Sequence, residues 1–491
     1  MAFPLNDLGE ALTTQLYQSI MGGDNKVPPP KDKFFTWCVP GLAFNENDFD
    51  FCETGLLAAP DGSPLTAEES RRLDFQAYQL AMLLDFIPDV GMAYTKEEQQ
   101  GAFSPDAGKR LSVMYGEILR NSKVVHREPS EEEQKEIERL QNKLTRTVTR
   151  TDPVTDEIIE APEDSPMVKA YTDYMERFDE AQRTYTTKMI SAAVATGADG
   201  LGAVTDWRLN GDSYLRAVTR AGEAWAASGY RNAVNEIRQM LNQASQRGMV
   251  FWKSRLEEQL RKGMQNTNEG NYAYTTLVPP GFAKAKGWTT LGIKSSSTAW
   301  ANHNKTSSWE GGLSVPLPWG FSVGASAGGS REETKGDVEL SSFEMEFAFT
   351  QTVIVRPWFY PEWFDNRGWT LEKGDGWTFD QMPSDGKRPP AGEFVGYPVQ
   401  AIFVRDVKIK SEEFVSHYNK VASSSSGGGS IGWGPFSLKG TYSRSQTDEE
   451  FESDAKGEWL KIPGMQIIAF VNQLLGKAPN LLPELKDADF V

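Results

Sequence analysis

"LSVPLPWGFSVGASAGG", residues 313–329, separates by parity: Leu313, Val315, Leu317, Trp319, Phe321, Val323, Ala325 and Ala327 are apolar, and every intervening position is Ser, Pro or Gly. Successive side chains of an extended strand point to opposite faces, so this pattern predicts a strand with one continuous apolar stripe and one nearly bare side. The apolar stripe must be buried. The bare side lets another backbone, a sheet or a flat ligand approach closely. Pro316 and Pro318 lack amide donors on one side of the strand, which predicts a sheet edge there.

The stretch belongs to a repeat. "IKSSSTAWANHNK" (293–305) matches "IKSEEFVSHYNK" (409–420), and "WGFSVGAS" (319–326) matches "WGPFSLKGTYS" (433–443). His303 precedes Trp319 by sixteen residues, as His417 precedes Trp433, and the offset between copies stays at 114 to 116. Acidic turns follow in both copies, then the apolar strands "FTQTVIVRPWF" and "GMQIIAFVNQLL". A constant offset over this length predicts two copies of one β unit, about 291–365 and 407–478. The second copy carries its stripe as Ile431, Trp433, Phe436 and Leu438, displaced by one at Pro435, which reads as a bulge.

Upstream the pattern is helical. "TAEESRRLDFQAYQLAMLLDFI" opens on a Thr66-x-x-Glu69 capping box, and "SEEEQKEIERLQNKLTRT" lines up Ile137, Leu140 and Leu144. "RTDPVTDEIIEAPEDSP" then reads as an exposed hairpin or linker. Over 165–265, apolar residues recur at three- and four-residue steps from Val168 to Ala192 and again from Val218 to Ala244, predicting a long antiparallel helical hairpin. The intervening "ATGADGLGAVTDWRLNGD" contains four glycines and reads as a flexible tip.

The fold expected is therefore α+β: an irregular N-terminal arm (1–65), a helical domain (66–271), and a C-terminal antiparallel β-sandwich-like domain of two repeats (272–491).

Composition narrows the function. Against 51 Lys plus Arg stand 68 Asp plus Glu, a net charge of −17, which argues against nucleic acid as a partner through general electrostatics. Cys38 and Cys52 give no disulfide framework and read as free buried thiols. No basic segment followed by an apolar run opens the sequence, and no run of about 18 apolar residues occurs. The expectation is cytoplasmic synthesis without a signal peptide, with release, if any, by lysis or a dedicated secretion system.

His126, His303 and His417 form no pair at metal-ligand spacing, and no phosphate-binding loop, nucleophile elbow or zinc-protease helix is present, so neither a metal nor a cofactor is expected. Asp48 with Asp50, and Asp375 with Asp380, read as turn-capping carboxylates rather than calcium ligands. The densest aromatic stretch, 356–379, holds Trp358, Tyr360, Trp363, Trp369 and Trp377. Exposed rings of this kind stack on sugars, which makes the stretch a candidate glycan-binding surface; the weightier reading is a loop packed over the sandwich edge.

These readings converge on a non-enzymatic interaction or assembly protein that uses strand edges and aromatic loops and forms a homo-oligomer or larger assembly. Its binding residues would be Leu313, Val315, Leu317, Trp319, Phe321, Val323, Ile431, Trp433, Phe436 and Leu438. One alternative is a soluble pore-forming toxin-like protein that inserts amphipathic hairpins into a membrane. A second is a carbohydrate-binding protein.

Overall fold

The computed structural model describes residues 3–5, 8–9, 12–13, 16, 19–20, 32–56, 65–88, 109–125, 131–151, 158–194, 197–245, 248–267, 270–294, 319–324, 332–334, 338–372, 382–387, 390–424, 429–442 and 450–491. Helices and antiparallel sheets are both present, so the chain is α+β.

The strands that form the two main sheets are, in chain order, β1 (Lys33–Phe44), β2 (Thr276–Val278), β3 (Thr289–Lys294), β4 (Phe321–Gly324), β5 (Glu332–Thr334), β6 (Glu344–Val355), β7 (Gly396–Lys410), β8 (Ser430–Trp433), β9 (Phe436–Thr441), β10 (Glu450–Glu452), β11 (Trp459–Lys461) and β12 (Met465–Leu474), together with the short strand Asp454–Lys456, which pairs with β11. The central sheet runs β1-β12-β7-β6. Along the outer edge of β6 lie β3, opposite Glu344–Phe349, and β2, opposite Val353–Val355. The second sheet runs β5-β4-β8-β9-β10.

The middle of the central sheet, β12 and residues 401–404 of β7, is buried on both sides and reads accordingly as nearly continuous apolar runs. In β12, Ile468, Ala469 and Val471 join one hydrophobic cluster while Met465, Ile467 and Phe470 join the other. The first cluster is closed by the second sheet, through Phe321, Ile431, Trp433, Phe436 and Leu438, and by the helix Glu412–Ser424. The second cluster is closed by Phe49, Phe51 and the helix α1 (Ala67–Leu84), whose Leu73, Ala77, Leu80 and Leu84 face the sheet. The Thr66 capping box forms as expected: Glu69 N–H donates to the Thr66 hydroxyl at 3.2 Å, and Thr66 N–H donates to the Glu69 carboxylate at 3.0 Å.

The stretch read as an irregular arm supplies β1, a twelve-residue strand paired to β12. Its partners lie more than four hundred residues away, so no local pattern reveals the pairing. Ahead of it Leu5, Leu8, Leu12 and Leu16 are helical and buried in the first cluster.

Two helices, α2 (Pro166–Val194) and α3 (Gly197–Ala227), form the long antiparallel pair. The glycine-containing stretch expected as a flexible tip is instead the first half of α3. Packing overrides the low helix propensity of glycine: Tyr185 meets Trp207 at 5.4 Å, and Lys188 pairs with Asp206 at 2.9 Å. The second stripe is also two helices, because the chain breaks at Gly229 and Tyr230 before α4 (Arg231–Ser245). The stretch read as a hairpin or linker is a hairpin, with Thr145–Thr151 paired to Ile158–Asp164.

Candidate interaction surface

The residues expected to bind a partner are mostly core. Trp319, Phe321, Ile431, Trp433, Phe436 and Leu438 are buried between the two sheets, and Val323 is partly buried against the same cluster. Leu313, Val315 and Leu317 lie outside the described residues, as do Trp377, His126, His303, Asp375 and Asp380.

Trp319 and Trp433 meet at 4.8 Å between ring centroids. Trp319 is held between two glycines. A methyl group at Gly9 would stand 1.8 Å from its ring, and one at Gly434, where φ is +51°, would stand 2.5 Å from it.

The bare side of the second sheet is met in part by the chain itself. Between Trp37 and Leu42 the edge strand β1 leaves its register with β12 and turns toward β8 and β9. There Gly41 N–H donates to the Pro435 carbonyl at 3.1 Å, and a side chain at Gly432 would come within 2.6 Å of Pro40. Gln466, buried, accepts from Ser437 N–H at 2.8 Å and donates to Ser437 C=O at 2.7 Å. The missing side chain at 432 thus admits the Pro40 ring of the chain's own edge strand.

The aromatic stretch 356–379 is likewise interior where it is described. Trp358, Trp363 and Trp369 are wholly buried and Tyr360 is half-buried. Trp363 stacks on Trp369 at 5.4 Å and touches Trp252 at 5.2 Å, while Trp358 Nε1 donates to the Tyr274 carbonyl. Rings committed to one another leave no open face for a sugar, so these three tryptophans do not form a glycan platform.

Among the described residues, the carboxylates singled out in the sequence pair within the chain. Asp48 accepts from Asn45 N–H at 2.8 Å, and Asp50 binds Arg72 at 2.7 Å and Lys284 at 2.6 Å. The His417 ring lies 4.9 Å from Phe321, and burial, with Lys420 nearby, lowers its pKa. Cys38 and Cys52 are free thiols; burial pushes the first far above its ordinary value and the second up to about 11. Among the described residues no group of three or more His, Cys, Asp or Glu stands together in a way that would hold a metal ion, and no helix is long and apolar enough to cross a membrane.

What the surface offers is strand edges of two kinds. The second sheet ends on β5, of sequence Glu-Glu-Thr, and on β10, where Glu450 and Glu452 are exposed. Charged residues on an edge discourage further pairing. The central sheet ends on β1 at one side and, beyond β6, on β2 and β3 at the other. β3 pairs among the described residues only with β6, and along it buried Leu291 and Ile293 alternate with exposed Thr290, Gly292 and Lys294. That edge is six residues long and carries a single charge. It was not singled out in the sequence, although the alternation in "TTLGIK" is its signal.

Comparison with protein-family models, curated proteins and solved structures returns no match to this chain.

Proposed function

We propose that this is a non-enzymatic assembly protein that gains partners by strand addition to β3. The observation that carries the reading is the contrast between edges: β3 offers a nearly neutral hydrogen-bonding row, whereas β5 and β10 are acidic. The rest of the architecture suits a scaffold, since Trp358, Trp363 and Trp369 of the aromatic stretch are spent on the interior.

We read the two sheets as a sandwich built from two related units, about 291–365 and 407–478. Supporting this, Ile293 and Ile409 both stand opposite Met345, and Lys294 and Lys410 both stand opposite Glu344. The strands that begin the two units therefore flank β6 at the same level.

The test is the mass of the full chain in solution by light scattering, for the wild type and for Thr290→Glu and Gly292→Glu. Both positions are exposed, and a side chain at 292 meets only ordinary contact, 3.6 Å from the Met345 carbonyl. Assembly in the wild type that is lost in both variants supports the reading. A monomer at every concentration, or assembly unchanged by both substitutions, overturns it.

A further inference from the structure

At one end of the central sheet an outer face is left open. There β7, β11 and the short strand Asp454–Lys456 lie side by side, with Lys408 opposite Lys461, Lys410 opposite Trp459, and Trp459 in turn opposite Lys456. Ile409 and Leu460, which alternate with these residues, are wholly buried in the first cluster, so the residues on either side of them point the other way. On that outer side Lys408, Lys456, Trp459 and Lys461 are exposed and Lys410 is half-buried. Trp459, at 38%, is the only exposed tryptophan among the described residues.

The charges on this face are not balanced within the chain. Lys408 and Lys461 stand directly opposite one another, and like charges so placed destabilise a sheet. Neither makes an ion pair among the described residues: Asp454, in register with Lys461, binds Lys456 at 3.0 Å instead, and Glu346, in register with Lys408, makes none. Glu458 reaches Lys410 at 3.8 Å. Two exposed ammonium groups therefore lack a counter-charge in a chain whose net charge is −17. Distant carboxylates do not supply it, because exposed charges farther apart than about 8 Å are largely screened at physiological ionic strength.

We infer that this face holds an acidic, extended segment of a partner polypeptide. Same-side residues of an extended chain repeat about every 6.8 Å, so carboxylates on alternate residues of a segment laid along β7 match the spacing of Lys408 and Lys410, with Lys461 one strand away. A lysine ammonium is a compact charge with rotatable donors and accepts a single carboxylate without demanding a fixed plane. A carboxylate seated between Lys408 and Lys461 relieves the like-charge contact. A sugar fits less well, because the Lys410 ammonium lies over the Trp459 ring, 5.5 Å from its centroid, on a face that stacking would need. The inference does not rest on strand addition at β3.

The experiment titrates the full-length wild type at low ionic strength, by calorimetry, with three probes of equal charge magnitude: a peptide alternating Glu and Thr, one alternating Lys and Thr, and a heparin oligosaccharide. The Glu–Thr peptide is expected to bind at least about tenfold more tightly than either of the others and to weaken as salt is raised. Lys408→Thr combined with Lys461→Thr is expected to weaken its binding by about tenfold or more while leaving the urea midpoint at or above that of the wild type, because a like-charge pair has been removed and threonine suits a strand. A purely structural role for the two lysines would lower that midpoint. No binding of the Glu–Thr peptide to the wild type, equal binding of the heparin oligosaccharide, or an affinity unchanged in the double variant overturns the inference. The comparison of probes is made on the wild type and is decisive whether or not the variant folds.

Discussion

Gln466 and Ser437 join the two sheets by a reciprocal pair of hydrogen bonds, the amide of one side chain meeting both backbone groups of the other residue at 2.7 and 2.8 Å. Both residues are buried, so neither backbone group has water to fall back on. Gln466→Ala leaves a buried donor and a buried acceptor unmet and is expected to cost about 2–4 kcal/mol, read as a lower urea midpoint with an unchanged slope. Replacement by Met, which keeps the volume but not the amide, should cost nearly as much, which separates hydrogen bonding from packing.

Gly9→Ala sets two effects against each other. Alanine favours a helix over glycine by about 1 kcal/mol, whereas a methyl 1.8 Å from the Trp319 ring forces a repacking that costs about 1–3 kcal/mol. The clash is expected to win. The variant should melt at a lower temperature than the wild type, with a shifted tryptophan emission.

Glu176 makes stability depend on pH. Burial pushes its carboxyl up to about 7, with Asp173 and Asp179 adding to the rise and Arg183 opposing it. The unfolded group titrates near about 4.3, so its favourable contribution is complete below that pH and is lost as pH rises through about 7. Glu176→Gln is expected to be more stable than the wild type at pH 8 and no more stable at pH 4, as measured by denaturant midpoints across that range.

Asp85 ties two helices together. It follows α1, and its carboxylate accepts from Ser112 N–H at 2.7 Å and from the Ser112 hydroxyl at 2.6 Å in the first turn of the helix Leu111–Asn121. Arg356, buried nearby, donates to the carbonyl of Leu84 at the end of α1 and to that of Pro398. Asp85→Ala removes the acceptor for two buried donors and should cost about 2–4 kcal/mol in urea unfolding. Asp85→Asn, which keeps an acceptor, should recover part of this.

Trp369→Ala tests the burial of the aromatic stretch. Emptying a wholly buried indole site is expected to cost about 3–5 kcal/mol, read as a fall in the thermal midpoint. An unchanged midpoint together with lost binding on a glycan array would instead mark an exposed sugar contact.

Patterns closed within a few residues were legible. The Thr66 box, the stripe of α2 and the parity of Trp319, Phe321 and Val323 each describe a local geometry that the structure keeps. Patterns that depend on a distant partner were not. The glycines between Gly197 and Gly211 predict a flexible tip, yet Trp207 and Asp206 have Tyr185 and Lys188 opposite them, and that packing holds the helix. The aromatics of 34–37 demanded burial, but nothing near them indicates a place beside Val471. Density of tryptophan in 356–379 is the same whether the rings face sugar or one another; the choice is made by Trp252 and Tyr274, which come from elsewhere in the chain. The edge at β3 was overlooked because its distinction is relational, lying in the acidic strands that end the other sheet.

The pairing of β1 with β12 has a consequence for how the molecule is made. Phe35 waits for Val471, and at about 5–20 residues per second the ribosome needs about 20–90 s to deliver it. During that interval the greasy run Phe34-Phe35-Thr36-Trp37 has no neighbour to shelter it, which makes nascent chains of this protein natural clients for a holding chaperone and prone to clumping where none is at hand.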